Sequence, residues 1–397
     1  MKSLTNKINI ASEKAVLFTD KLKVKDGVYK YTQNHDINKH PAALLYGSWS
    51  VVYLRKLIHG NNWDKQNEKN DFLNFFNSCR KKNGMFLPDS LTKETFSKSL
   101  EYMLLHCYNY TVGAAIEIDD KFDFQSKYMD EFLNRDFLSR WLNQRSLDRP
   151  WEESNNIVNV ASYLALCNDH GNSRGKEALY QMLEWHNKKQ NPITGGFDCF
   201  KHSRKNILQS MAGAVHNFHI HKYLNEPFNY EEIIAKNVIP FLYEGPLTAC
   251  LSIDFVELAC ATINHLEDSY ELQQALIYHL DRLLKFQNID GGWYENESSL
   301  KPTVANGMFE KQASSNSYST WFRMCSIAMI SVTLFNFSST KWNFRKTLGM
   351  GYSNNQWNKI DLISDSIDKK LFIKNKIKNL PNDFKNFAIN FAVKILK

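Results

Sequence analysis

The chain has 397 residues, of which 43% are hydrophobic and 23% are charged. This composition is typical of a globular protein with a sizeable core and argues against extended disorder. Most of the net charge of +7 comes from residues 369–397, which carry eight lysines and one acid. The body of the chain is therefore nearly neutral, which argues against a nucleic-acid surface along its length.

Cysteine usage and the start of the chain indicate the compartment. The seven cysteines lie far apart, are odd in number and include no CxxC pair, which favours reduced thiols. The first residues lack the continuous apolar stretch of a signal peptide, and the longest uncharged stretch, 324–340, is too short and too rich in Ser and Thr to span a bilayer comfortably. We expect a soluble, cytoplasmic protein.

Two kinds of predicted helix alternate along the chain. Amphipathic helices, with apolar residues every three or four positions, are predicted over 71–81, 131–145, 177–190, 230–244 and 271–287. More evenly apolar helices, which must be buried on most sides, are predicted over 40–57, 97–115, 154–167, 206–224, 248–266 and 315–334. The expected N-caps are Ser154, Thr248 and either Ser315 or Ser317.

A turn motif separates the two kinds of helix. It is fullest in QNIDGGW, residues 287–293, and related copies place Gly27, Gly84 and Gly196 just before an aromatic residue. In this motif Gly supplies backbone conformations that other residues avoid, Asp290 can accept hydrogen bonds from turn amides, and Trp293 can seal the gap between neighbouring hairpins.

The spacing of the turns predicts the number of units. Counted to Gly292, the intervals between copies are 57, 112 and 96 residues, so two further turns are expected, near Asp148 and Gly245. Six pairs of helices joined by short turns close most simply as an inner and an outer ring. We therefore predict an all-α fold, an α/α toroid over residues 1–340, followed by a basic amphipathic extension over 341–397.

The turn motif resembles the QW repeat of the terpenoid cyclases. The stretch SSNSYSTWFRMCSIAMI, 314–330, resembles the serine-rich helix start that follows this repeat in squalene and hopene cyclases, and LYGSWSVVYLRKL, 45–57, resembles the family's Tyr-Gly-Thr-Trp helix. The resemblance implies a toroid of the terpenoid cyclase and protein prenyltransferase type. The sequence departs from the family in two respects. It has no Asp-x-Asp-Asp string, since EIDD at 117–120 begins with Glu, and it lacks the residue spacing of the prenyltransferase zinc site.

Candidate catalytic residues lie on the predicted inner helices, which aim polar groups at a central cavity. Asp254 and Glu257 are three residues apart on a largely apolar helix, so burial would raise the pKa of one of them and create a proton donor beside an anion. His216 and Tyr318 are the expected proton relays. His216, His219 and His221 do not share one face of their helix, which fits a metal site poorly. We predict no metal site and no cofactor.

Candidate substrate-binding residues come from three predicted helix starts. Aromatic faces can stabilise a cation, Arg323 can hold an anion, and a Trp beside acids and amides suits a sugar ring or a cationic intermediate. The residues are Tyr46, Trp49, Trp151, Glu153, Asn155, Trp321 and Arg323. Core packing and helix-dipole partners are the structural alternatives for the same residues.

Three functions remain open. The first is an enzyme using acid/base chemistry in a central cavity, on an isoprenoid or other amphipathic small molecule. The second is a glycan-active toroid, namely a polysaccharide lyase, hydrolase or epimerase acting on bacterial polysaccharide, and the third is a non-catalytic scaffold or binding protein. No nucleic-acid partner is expected. Residues 369–397 are expected either to contact the inner membrane face peripherally or to cover the outer wall of the toroid.

Overall fold

The fold is taken from a computed structural model. It describes residues 2–38, 42–60, 63, 66–86, 99–197, 204–244, 247–296, 303–305, 308–310, 314–335, 342–352, 360, 362 and 366–378.

Helices dominate the described residues. In chain order they are α1 (Lys2–Asp20), α2 (Ala42–His59), α3 (Gln66–Ser78), α4 (Leu100–Ile118), α5 (Arg135–Asn143), α6 (Pro150–Asp169), α7 (Ser173–Lys189), α8 (Arg204–Leu224), α9 (Glu231–Tyr243), α10 (Ala249–Thr262), α11 (Tyr270–Lys285), α12 (Ser317–Phe335) and α13 (Lys369–Lys378). The short strands β1 (Lys23–Lys25) and β2 (Val28–Tyr29) form one antiparallel pair, and β3 (Thr303–Ala305) and β4 (Met308–Glu310) form another. Short 3₁₀ helices cover Met129–Leu133 and Ile263–His265. The all-α prediction is confirmed.

Six helices contact one another in a closed cycle. Contacts link α2 to α4, α4 to α6, α6 to α8, α8 to α10, α10 to α12, and α12 back to α2. We call these six the ring helices, and α1, α3, α5, α7, α9 and α11 the outer helices. Every residue of α12 is buried, whereas α11 keeps several half-buried residues and the exposed Lys285. The cycle supports the toroid arrangement, which stays a prediction.

The turn motif works as the sequence predicts. Gly291 has a φ of +99°, a left-handed conformation that favours glycine, and the Oδ1 atom of Asp290 accepts a hydrogen bond of 2.9 Å from the Gly292 amide. Trp293 is 1% exposed and its indole donates to the carbonyl of Leu283 at 2.9 Å. The turn near Asp148 lies between α5 and α6, and Gly245 lies outside the described residues.

The glutamine of the motif, present in the copies at Gly196 and Gly292, ties these two turns to the next part of the outer layer. Gln287 donates from Nε2 to the carbonyls of Gly291 at 2.8 Å and of Ala11, in α1, at 2.9 Å. Gln190 makes the matching pair of hydrogen bonds, at 2.7 Å to Gly195 and at 3.0 Å to the carbonyl of Asn229, just before α9. The Gln287 contact connects the last hairpin to the first helix of the chain.

The first outer helix, α1, is not among the predicted segments. It contacts α2, α11 and α12, and so lies where the two ends of the cycle meet. Its buried residues, Ile8, Ala11, Ala15 and Phe18, are spaced three and four apart, the same signal that marks the other outer helices.

The N-cap predictions hold at one of three helices. Thr248 caps α10, accepting from the Leu251 amide at 3.1 Å. Ser154 is wrong, because α6 begins four residues earlier at Pro150. At α12 the cap is Asn316, between the two predicted serines, and its Oδ1 atom accepts from the Ser319 amide at 2.7 Å.

Residues 342–352, which we call the closing segment, lie against one end of the ring helices although the sequence places them in the extension. The Arg345 guanidinium lies over the rings of Tyr53 and Tyr110, 5.0 and 5.1 Å from their centroids. The Gly351 amide donates to Glu257 at 3.4 Å. The closing segment therefore contacts α2, α4 and α10 from the side of their C-terminal ends.

Helix α13, the described part of the lysine-rich tail, packs on the outer wall. The Phe372 ring lies 4.4 Å from that of Tyr278, and Asn375 donates to Glu271 at 2.9 Å, both partners in α11. Residues 369–378 thus pack on α11, the rest of the tail lies outside the described residues, and both roles expected for the tail stay predictions. None of the helices in the described ranges is long and apolar enough to cross a membrane.

The turn glutamines yield a stability prediction. Gln287→Met keeps the length of the side chain and removes both hydrogen bonds to backbone carbonyls, so we expect the free energy of unfolding to fall by about 1–3 kcal/mol. Gln190→Met is expected to cost a similar amount. Urea unfolding followed by circular dichroism measures both.

The matched control is Gln144→Met on an exposed residue, expected to change stability by less than about 0.5 kcal/mol. Equal effects for all three variants would contradict the role assigned to the turn glutamines.

Candidate active site

Aromatic side chains from α12, α2 and α4 form one wall inside the ring helices. Trp49 is fully buried and stacks on Tyr110 with ring centroids 4.8 Å apart. Tyr318 and Trp321 meet its ring edge-on at 5.7 and 6.0 Å. We call this group the aromatic wall, with members Tyr46, Trp49, Tyr53, Tyr102, His106, Tyr110, Tyr318, Trp321 and Phe322.

Helix α4 extends the aromatic wall towards the rest of the ring. His106 stacks on Tyr46 at 5.7 Å and lies 4.3 Å from Tyr110, and Tyr102 stacks on His106 at 5.3 Å. These rings present apolar faces with negative electrostatic potential, which favour a cation. The sequence prediction named Tyr46, Trp49, Tyr318 and Trp321, and the structure brings all four together.

Asp254, from α10, is the acid that faces this wall. It is 2% exposed, its Oδ2 atom has no hydrogen-bond partner among the described residues, and the Trp151 indole donates to its carboxyl group. Burial, with the nearby Glu257 and Glu295 adding to it, raises the pKa of Asp254 well above its usual range. Burial therefore favours the protonated form of Asp254, which is the form that can donate a proton.

Asp254 lies close enough to two tyrosines of the aromatic wall to affect their pKa values. Burial raises the pKa of Tyr102 and Tyr110, and the proximity of Cys250 and Asp254 adds to both shifts. The Tyr318 hydroxyl lies 3.4 Å from the Cys250 Sγ atom. Side chains from α4, α10 and α12 thus share one neighbourhood inside the ring.

His216, from α8, lies beside the start of α6. Its Nδ1 atom is 2.9 Å from the Ser154 hydroxyl, and its Nε2 atom is 3.5 Å from the Asn155 amide nitrogen. Burial, with His219 and His106 adding to it, holds the pKa of His216 well below its usual range, so the imidazole is neutral at pH 7. A neutral imidazole can accept a proton, and the half-buried Asn155 and Trp151 leave this part of the ring nearest to solvent.

Glu257 lies one helical turn from Asp254 and has other partners. Its Oε1 atom is 2.9 Å from His219 Nε2, and its Oε2 atom accepts from the Gly351 amide. Both Glu257 and His219 are fully buried. Glu257 therefore supports the closing segment and adds negative charge near Asp254, whereas its predicted catalytic role stays a prediction.

Two predicted substrate ligands have structural partners instead. Arg323 is 1% exposed and its Nη2 atom donates to the carbonyls of Leu247 and Glu295 at 2.7 and 3.1 Å. Glu153 lies 3.1 Å from Arg145 Nη1, on the side of α6 that faces the outer helices. Neither side chain joins the group around Asp254 and His216.

Sequence reasoning missed residues that complete the site. Ser154 was assigned to a helix cap, Asn159 lies one turn after Asn155 on α6, and Glu295 follows the turn motif. The Glu295 carboxyl accepts from Ser319 at 2.8 Å, and burial raises its pKa. The i, i+4 spacing of two asparagines on α6 is the one signal that was readable beforehand.

The described residues indicate no metal site, and comparison with known proteins assigns no family. Among the described residues, no group of three or more His, Cys, Asp or Glu side chains is placed to hold a metal ion. No family model, no curated protein and no solved structure matches the chain.

The raised pKa of Asp254 gives a pH-dependent prediction. The folded protein keeps a proton that the unfolded chain releases above about pH 4, so this group's contribution to stability is lost as pH rises towards its folded pKa. Asp254→Asn cannot ionise. We expect the free energy of unfolding of Asp254→Asn to increase relative to that of the wild type between pH 4 and pH 7, by at most about 1.4 kcal/mol per pH unit.

Thermal or urea unfolding across this pH range provides the measurement, and Asp136→Asn on the exposed start of α5 is the matched control. A constant difference between wild type and Asp254→Asn at every pH would show that Asp254 is ionised in the folded protein.

Proposed function

We propose that the protein is an enzyme that uses acid/base chemistry inside the ring helices, on an isoprenoid or another amphipathic substrate. The observation that carries the proposal is the buried Asp254 carboxyl group, with one oxygen unpartnered among the described residues, near an aromatic wall. Burial raises the pKa of this group and so favours its protonated form. The closed cycle of ring helices supports an α/α toroid of the terpenoid-cyclase type. The resemblance of residues 287–293 to the QW repeat supports the same class.

The proposed reaction begins with proton transfer from Asp254. Its O–H bond breaks and a new C–H bond forms at an alkene carbon, which leaves a carbocation on the substrate and a carboxylate on Asp254. The faces of Trp49 and Tyr110 stabilise the cation. His216 then removes a proton from a carbon beside the cationic centre, which restores an alkene and leaves an imidazolium. The imidazolium releases this proton to solvent, and solvent reprotonates Asp254, so both groups return to their starting states.

A glycan substrate is the second candidate. It is favoured by the half-buried Trp151 and Asn155 beside His216, because an indole face and an amide suit a sugar ring and its hydroxyl groups. A non-catalytic scaffold is the third. It is favoured by the direct ring contacts within the aromatic wall, for example between Tyr53 and Trp321 at 4.5 Å.

The test is turnover in heavy water. Wild-type protein is incubated with linear polyprenyl diphosphates and polyenes, and separately with acidic polysaccharides, and products are read by mass spectrometry. We expect an isoprenoid product carrying one deuterium bound to carbon, since the acid takes its proton from solvent. Asp254→Asn is expected to abolish the product while the protein stays folded.

Asp136→Asn is the control and is expected to turn over normally. Conversion of a polysaccharide alone would favour the glycan-active class. Isoprenoid turnover that survives Asp254→Asn, or that brings no deuterium into the product, would contradict the role of Asp254.

A further inference from the structure

A row of hydrogen-bonded side chains crosses the ring from the closing segment to the candidate active site. We call it the polar row, and its members in spatial order are Arg345, Asn109, Asn159, Asn155, His216 and Ser154. They come from the closing segment, α4, α6 and α8. All but Asn155 are nearly completely buried.

The direction of the hydrogen bonds is set at the Arg345 end. A guanidinium can only donate, so the side-chain oxygen of Asn109, not its NH₂ group, must face Arg345 Nη2. The Asn109 Nδ2 atom is then free to donate and does so to Asn159 Oδ1 at 2.7 Å. The Arg345 Nε atom donates to Thr347 at 2.7 Å, which holds the guanidinium in this orientation.

The same direction continues to the imidazole. Asn159 Nδ2 donates to Asn155 Oδ1 at 3.5 Å, and Asn155 Nδ2 lies 3.5 Å from His216 Nε2, which must therefore accept. The single proton of the neutral imidazole is left on Nδ1, where it is donated to the Ser154 Oγ atom at 2.9 Å.

The far end of the row agrees with this direction. The Ser154 hydroxyl donates its one proton to the Trp151 carbonyl at 3.0 Å, so its oxygen is available to accept from His216. Reversing one amide alone would place an N–H group against another donor, which is costly where water is excluded. The row can only reverse as a whole, and Arg345 prevents that.

We propose that Arg345 is a positioning residue that fixes the tautomer of His216 through three asparagine amides. It holds the proton on Nδ1 and makes Nε2 the basic atom, whose lone pair accepts from Asn155 at 3.5 Å. The tautomer follows from the polar row alone, whereas the use of Nε2 as a base in the reaction rests on the proposed function.

The tautomer is read by long-range proton–nitrogen NMR of protein labelled with ¹⁵N-histidine at pH 7, with the His216 signals identified by their absence in His216→Gln. In the wild type we expect Nδ1 to carry the proton and Nε2 to be unprotonated. The opposite assignment in the wild type would overturn the proposal without any variant.

The variant Asn109→Asp is expected to reverse the direction of the hydrogen bonds in the polar row. The carboxylate keeps the size of the amide and is held ionised by Arg345, but it only accepts, so Asn159 and Asn155 must both turn over. We expect the His216 proton to move to Nε2. Arg345→Met removes the fixed donor and is expected to give a mixture of the two tautomers.

The control is Asn156→Asp, the same change on α6 at a residue outside the polar row, expected to leave the tautomer on Nδ1. An unchanged tautomer in folded Asn109→Asp, or a reversal in Asn156→Asp, would overturn the proposal. These spectra need no substrate, so the tautomer and the proposed reaction can fail independently.

Discussion

The cost of keeping charge inside the ring helices governs the chemistry of this protein. The ring helices are buried on most sides, so any ionisable group that points inward loses its hydration and must be neutralised or paired. Burial raises the pKa of Asp254 and lowers the pKa of His216, so it favours the uncharged form of each group. Glu257 is paired with His219, and the Arg345 cation lies between two tyrosine rings and on the Asn109 amide oxygen. Burial inside the ring helices thus favours an uncharged acid and an uncharged base.

The turns make this burial possible. In the copies at Gly196 and Gly292, the motif's own glutamine, asparagine or aspartate side chains bond to turn amides and carbonyls. Gln287 also bonds to α1, so the last hairpin and the first helix meet at one place. Closing the cycle at α1, α2, α11 and α12 is what brings Tyr318 and Trp49 into contact across the two ends of the chain.

Periodicity predicted five outer and six ring helices, because amphipathic and evenly apolar patterns depend only on residues close in sequence. It also predicted the turn chemistry at Asp290 and the inward position of Asp254. The helix α1 was readable from its apolar spacing and was overlooked. The cap of α6 was wrong because the helix begins at a proline four residues before the serine that looked like a cap.

The partners of the site residues were beyond sequence reasoning. Arg345 lies more than two hundred residues from Asn109, and nothing near either position indicates their contact. Arg323 was predicted to bind an anion because the residues around it in the sequence do not indicate that it donates to the carbonyls of Leu247 and Glu295. Pairings of this kind depend on how the ring closes, and a local pattern does not contain that information.

The protonation state of Asp254 is the central claim, and infrared spectroscopy tests it directly. The difference spectrum between wild type and Asp254→Asn at pH 7 is expected to contain the carbonyl stretch of a protonated carboxylic acid, shifted in heavy water. A difference spectrum that shows only the bands of an ionised carboxylate would contradict the account.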